Sequence, residues 1–130
     1  MTPRRSTSLP ALAALVLAGA ATVAQAAPKA VPPAYAPVFT GALVSTYNDG
    51  RQGKLWLSAD GSFVGVSRRG ARNAGSWVLE TARLCLRQSR PIPIPFRYCQ
   101  PLPATLSGSW RGKAPSGEPI SIRFVEGDRP

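Results

Sequence analysis

The groups with which this chain could do chemistry are few: two cysteines, six carboxylates and sixteen Lys and Arg, with no histidine in 130 residues. Without imidazole, Ser-His-Asp and Cys-His nucleophilic mechanisms are excluded, and so are His-containing zinc sites. Two thiolates cannot complete a four-sulfur metal site. The carboxylates are Asp49, Asp60, Glu80, Glu118, Glu126 and Asp128. Asp49 and Asp60 fall in turn sequences and Glu126 and Asp128 in the C-terminal tail, so no pair is spaced to flank a scissile glycosidic bond. A Ser-Lys dyad on Lys54 has no motif around it. The reading is a non-catalytic protein with no cofactor and no metal.

The first 26 residues have the layout of a secretory signal. Arg4 and Arg5 form the positive region, Leu9 to Val23 the apolar stretch, and Ala24-Gln25-Ala26 the small-x-small cleavage site. The apolar stretch is short for a membrane span, which needs roughly 20 residues. Cleavage would leave 14 basic residues against six acids, a net charge of +8, in the periplasm or secreted. Ala27 to Pro37 holds four prolines and is expected to form an extended leader, residues 27–37. The remainder, 38–127, reads as one domain, taken as a monomer with no membrane span.

In an exported protein two cysteines are most simply one disulfide. Cys85 and Cys99 would close a loop of about 15 residues, a constraint assigned roughly 3 kcal/mol. If they face each other across an antiparallel pair, Leu86 meets Tyr98, Leu84 meets Gln100 and Arg87 meets Arg97. Arg83 lies on the same side as the cystine. Like charges directly opposite destabilise a strand pair. Either the guanidinium groups splay into water or a bound anion relieves the repulsion through forked hydrogen bonds. Arg83, Arg87 and Arg97 are therefore candidate anion-binding residues, with Arg68, Arg69 and Arg72 extending that surface. Residues 51–97 carry nine basic side chains against Asp60 and Glu80. Such a pole favours an acidic polysaccharide, lipopolysaccharide, anionic lipid or acidic protein. Nucleic acid is not expected, since no recognition motif is present.

From Val38 onward, short alternating runs are separated by Gly-containing turns, and no helical period persists. Eight strands are predicted: 38–47, 54–59, 62–68, 76–80, 83–88, 96–100, 105–111 and 119–125. Asp60-Gly61 reads as a tight two-residue hairpin turn. The fold class is all-β, a small antiparallel meander of about eight strands closing into a barrel with one disulfide; a two-layer sandwich is the alternative. Alternation predicts an inner set of Leu43, Leu55, Leu57, Val64, Val66, Trp77, Leu79, Leu84, Leu86, Phe96, Tyr98, Leu106, Trp110, Ile120, Ile122 and Phe124. A barrel of this size holds either its own side chains or one small ligand, and three Trp favour the filled case.

Gly75-Ser76-Trp77 and Gly108-Ser109-Trp110 repeat one tripeptide, and a Gly-x-Trp at a strand start resembles lipocalin-type barrels, where the Trp plugs one end. Asp60-Gly61-Ser62-Phe63, Gly75-Ser76-Trp77, Leu84-Cys85-Leu86-Arg87 and Cys99 together resemble a loose class of small exported β-domain proteins of proteobacteria. That resemblance implies a small barrel or sandwich with one disulfide and brings no activity. The expected function is a binding module for an anionic envelope component. The alternatives are a lipocalin-like carrier with a cavity lined by Trp77, Tyr98 and Trp110, and an inhibitor of a secreted enzyme.

Overall fold

Repeated turn chemistry sets the order of the strands. The computed structural model describes residues 2–4, 8, 10, 11, 13–16, 18–20 and 29–130. The predicted cleavage site at Ala24-Gln25-Ala26 and the first two leader residues, Ala27 and Pro28, lie outside them. Among the described residues no helix is long and apolar enough to cross a membrane.

The strands are β1 (Gly41–Thr46), β2 (Gln52–Leu57), β3 (Ser62–Val66), β4 (Arg72–Glu80), β5 (Arg83–Arg90), β6 (Tyr98–Pro101), β7 (Ser109–Lys113) and β8 (Pro119–Glu126), preceded by a 3-10 segment over Pro33–Thr40. The hairpins β1–β2, β2–β3, β3–β4 and β7–β8 share one turn. Residue i donates to the carbonyl of i+4, and a glycine at i+3 donates back to i, as with Tyr47, Gly50 and Arg51. Gly50, Gly61, Gly70 and Gly117 hold φ of 82°, 92°, 82° and 86°, the left-handed conformation that a three-residue loop with a bulge requires. In the β2–β3 turn Asp60 accepts hydrogen bonds from the Ser62 hydroxyl (2.6 Å) and amide (2.9 Å), which hold its carboxyl below the usual range.

That turn corrects the predicted inner set. Ser58 pairs with Ser62 around Ala59-Asp60-Gly61, one residue more than the two-residue turn expected. The extra residue slips the register by one, so Leu57 meets Phe63 and Leu55 meets Gly65. A slip of one exchanges the faces of a strand. Phe63 is 4% exposed inside, while Val64 is 44% exposed outside. Phe96 lies in the β5–β6 loop, 65% exposed, and not in a strand.

The sheet order is β6-β5-β4-β3-β2-β1-β8-β7, antiparallel throughout. The two ends approach each other without a ladder, giving a nearly closed barrel. The Tyr98 hydroxyl donates to the Lys113 carbonyl across this seam. On the other side of β6 the predicted facing pairs Leu86–Tyr98, Cys85–Cys99 and Leu84–Gln100 are present, and Cys85 and Cys99 are joined with Cα atoms 4.0 Å apart. Such a bond suits an oxidising compartment. Arg97 precedes β6, so the ladder ends before an Arg87–Arg97 pair forms.

One barrel end is closed by the 3-10 segment. Val38 packs with Leu43, Leu57, Phe63, Trp77 and Leu84, and Phe39 tilts against Trp77 at 5.8 Å between centroids. The segment read as an extended leader is partly packed here: the Tyr35 hydroxyl donates to the Pro103 carbonyl at 2.7 Å, and Lys29 Nζ donates to the Trp77 carbonyl at 2.7 Å. Trp56 points outward, buried with Ala42 and Val44 beneath the C-terminal tail. Its indole N–H donates to the Asp128 carbonyl at 2.8 Å, and Lys54 pairs with the Asp128 carboxylate at 2.7 Å.

β6 has one ladder neighbour, so the cystine should matter more there than elsewhere. Replacing Cys85 and Cys99 together by Ala should lower the unfolding free energy by about 3 kcal/mol. In native-state hydrogen exchange, amides of β5 and β6 should lose protection before those of β1 and β2. Uniform loss over all eight strands would contradict this.

Candidate functional site

Inward positions alternate along every strand, and several near the middle of the barrel are glycine: Gly53, Gly65, Gly75 and Gly112. A Cβ on Gly75 would collide with the Arg87 carbonyl oxygen and lie 2.8 Å from the Phe63 ring. On Gly65 it would strike the Asn73 side-chain oxygen, and on Gly112 the Gln100 side-chain oxygen. These glycines let the wall curve and seat two amide side chains against it. Ser45 is another small inward residue. Above the Trp77 plug this leaves a cavity of about 250 Å³. That is far more than the ~10–15 Å³ that admits one water and just under the roughly 300–1,000 Å³ of ordinary ligand pockets.

The interior is therefore not filled, against the expectation from three Trp. Trp56 lies on the outer face, and Trp77 sits below the cavity in the closed end. Trp110 alone of the three borders the cavity. Of the predicted cavity residues, Tyr98 and Trp110 line the main cavity together. Trp77 lines only a 20 Å³ pocket at the closed end. Its indole N–H donates to the Ser58 carbonyl at 2.8 Å.

The walls are mostly aliphatic and aromatic: Leu43, Leu55, Phe63, Leu84, Leu86, Ile120 and Ile122. The polar side chains are uncharged, among them Ser45, Asn73, Tyr98 and Gln100, apart from Lys54, whose ammonium is paired with Asp128. Gln100 donates to the Tyr98 hydroxyl. The side-chain oxygens of Asn73 and Gln100 and the indole N–H of Trp110 are buried without a hydrogen-bond partner among the described residues. A buried polar atom left unpaired costs roughly 1–3 kcal/mol, and the two amide oxygens are turned against the wall, at Gly65 and Gly112, rather than towards the open space. Burial lifts the Tyr98 phenol well above its ordinary value of 10.0, and the nearby Tyr47 adds to the shift.

The cavity opens at the end carrying the β1–β2, β3–β4, β5–β6 and β7–β8 connections, with Tyr47, Ser67, Ile94, Phe96 and Pro115 among its lining. Arg68 ties three of these together. Its guanidinium stacks 4.3 Å over the Tyr47 ring, bonds Glu118 at 2.9 Å and lies 3.9 Å from Asp49. Arg69 and Arg72 are exposed beside it. Arg83 and Arg87 stand exposed on the outer face of β5, flanking the cystine, whereas Arg97 is paired with Glu80. The six predicted anion-binding residues thus divide between the barrel side and its mouth.

Asn73 and Gln100 were not singled out from the sequence as site residues. Asn73 alternates with Gly75, Trp77 and Leu79 on the inner face of β4, a signal obscured when residues 70–75 read as a loop. Compared with protein-family models, curated proteins and solved structures, the chain matches none.

Tyr98 supplies a pH test. A folded-state pKa above the unfolded value of 10.0 means that stability is intact below about pH 10 and declines as pH rises from there towards the folded value. Urea midpoints measured from pH 8 to 11 should fall in the wild type and fall less steeply in Tyr98→Phe. Parallel curves would remove Tyr98 as the titrating group.

Proposed function

We propose that this is a non-catalytic carrier that holds one small, largely apolar molecule in the barrel. One observation carries the reading: a 250 Å³ apolar cavity, floored by Leu43, Leu84 and Leu102 above Trp77 and open at the opposite end. Packed interiors leave few voids larger than a water, so an unfilled space of this size is what a binding site would leave. The lining is mostly aliphatic and aromatic, with the uncharged side chains of Asn73, Tyr98 and Gln100 among it. It favours a ligand with at most one uncharged polar group, such as a hydroxyl, an amide or a protonated carboxyl. Among the described residues, the one charged residue of the lining, Lys54, has its ammonium on the Asp128 carboxylate at 2.7 Å and so is not free to meet a charged head. The predicted signal and the cystine support a periplasmic or secreted carrier.

A neutral solvatochromic dye such as Nile red tests this. It should bind with a blue shift, bind as well at high salt as at low, and be displaced by long-chain alkanols better than by alkylammonium ions. Leu86→Trp should fill the space and weaken dye binding at least tenfold, with a stability change of about 1–3 kcal/mol. Val78→Trp, on the outer face, should leave binding unchanged. Equal binding by the wild type and Leu86→Trp would place the dye elsewhere and end the cavity reading.

A further inference from the structure

The two ends of the barrel differ in charge and in what they expose. Around the mouth stand Arg69, Arg72, Arg90 and Lys113, all exposed and without an ion pair among the described residues. The carboxylates at this end, Asp49 and Glu118, both lie against Arg68. Four of the six carboxylates, Asp60, Glu80, Glu126 and Asp128, lie towards the closed end. Unpaired cations therefore ring the end where the cavity opens, while Arg83, Arg87, Arg111 and Arg123 on the barrel side are also exposed without an ion pair among the described residues.

The same rim exposes apolar side chains. In the loop between β5 and β6, Ile92 is 69% and Phe96 65% exposed. The loop is held in place, for Gln88 Nε2 donates to the Ile92 carbonyl at 3.1 Å and the Ile94 amide donates to the Gln88 carbonyl at 3.0 Å. Pro91, Pro93 and Pro95 remove three backbone N–H groups that an apolar environment would leave unpaired. An ordered apolar tip, poor in donors and ringed by unpaired cations, matches a lipid interface bearing negative headgroups.

We infer that the mouth end docks on an anionic lipid bilayer, with Ile92 and Phe96 in the headgroup region and Arg69, Arg72, Arg90 and Lys113 on the phosphates. Docking stands independently of the carrier reading. Passage of a ligand between bilayer and cavity rests on that reading. An acidic polysaccharide would satisfy the cations and leave the apolar tip without a role.

The exported protein is sedimented with vesicles of phosphatidylcholine alone or with about 30% phosphatidylglycerol. Binding should be at least tenfold tighter to the anionic vesicles and should weaken with salt. Ile92→Asp and the double variant Arg69→Glu/Arg90→Glu should each reduce it at least tenfold. Both should keep wild-type Nile red binding in vesicle-free buffer, which separates failure of docking from failure of the cavity. Equal binding to both vesicle types overturns the inference. So does anionic binding that Ile92→Asp leaves intact, particularly with retention on heparin, which identifies a polyanion surface instead. Loss of binding in Arg83→Glu/Arg87→Glu, with both mouth variants unaffected, would move the contact to the barrel side.

Discussion

An eight-stranded barrel can be packed by its own side chains or hold a small guest, and in this chain the placement of the Trp77 indole governs the outcome. β4 presents Asn73, Gly75, Trp77 and Leu79 inward, with a bulge between Ala74 and Gly75. That order sends the largest side chain to one end. Two hydrogen bonds to the β2–β3 turn fix it there: the indole N–H to Ser58, and the backbone amide to the Gly61 carbonyl at 2.9 Å. Phe39 from the 3-10 segment and Lys29 close over it from outside. With Trp77 held in the closed end, the glycines above it leave space that no remaining side chain fills.

Much of this architecture is legible in the chain. Eight strands, the Cys85–Cys99 bridge and the facing pairs of β5 and β6 follow from alternation, turn residues and cysteine number. What escaped is parity where a turn has one more residue than expected. Asp60-Gly61 fits a two-residue or a three-residue loop equally well by composition, yet only the second puts Phe63 inside. Trp56 escaped for a different reason: an outward Trp is buried only because the tail at Asp128 folds back on it, a contact between residues 72 apart in sequence. Empty volume is also hidden, since it depends on which level of the barrel each inward glycine occupies.

Charge shows the same limit. Counting places an excess of cations in residues 51–97, but counting cannot tell a paired cation from a free one. Arg97 reaches Glu80, and Arg68 gathers Glu118, Asp49 and the face of Tyr47. Exposed ion pairs contribute little individually, roughly 0–1 kcal/mol. Arg68 differs because its partners come from two hairpins other than its own, so one side chain couples the positions of three turns. The rim is thereby ordered as a unit, with its acids occupied and the outer cations left unpaired.

The unladdered seam brings these features together. β6 is paired on one side only, over four facing residues, and the cystine adds a covalent link to β5. On its other side Tyr98 reaches the Lys113 carbonyl, and Gln100 rests against Gly112. Two of the three unpaired polar atoms, on Gln100 and Trp110, belong to these same two strands. A closed ladder would bring the β6 and β7 backbones into register and crowd the Gln100 amide that now rests on Gly112. Incomplete closure therefore leaves room for the Gln100 side chain against Gly112, and the disulfide holds that side of the barrel in place.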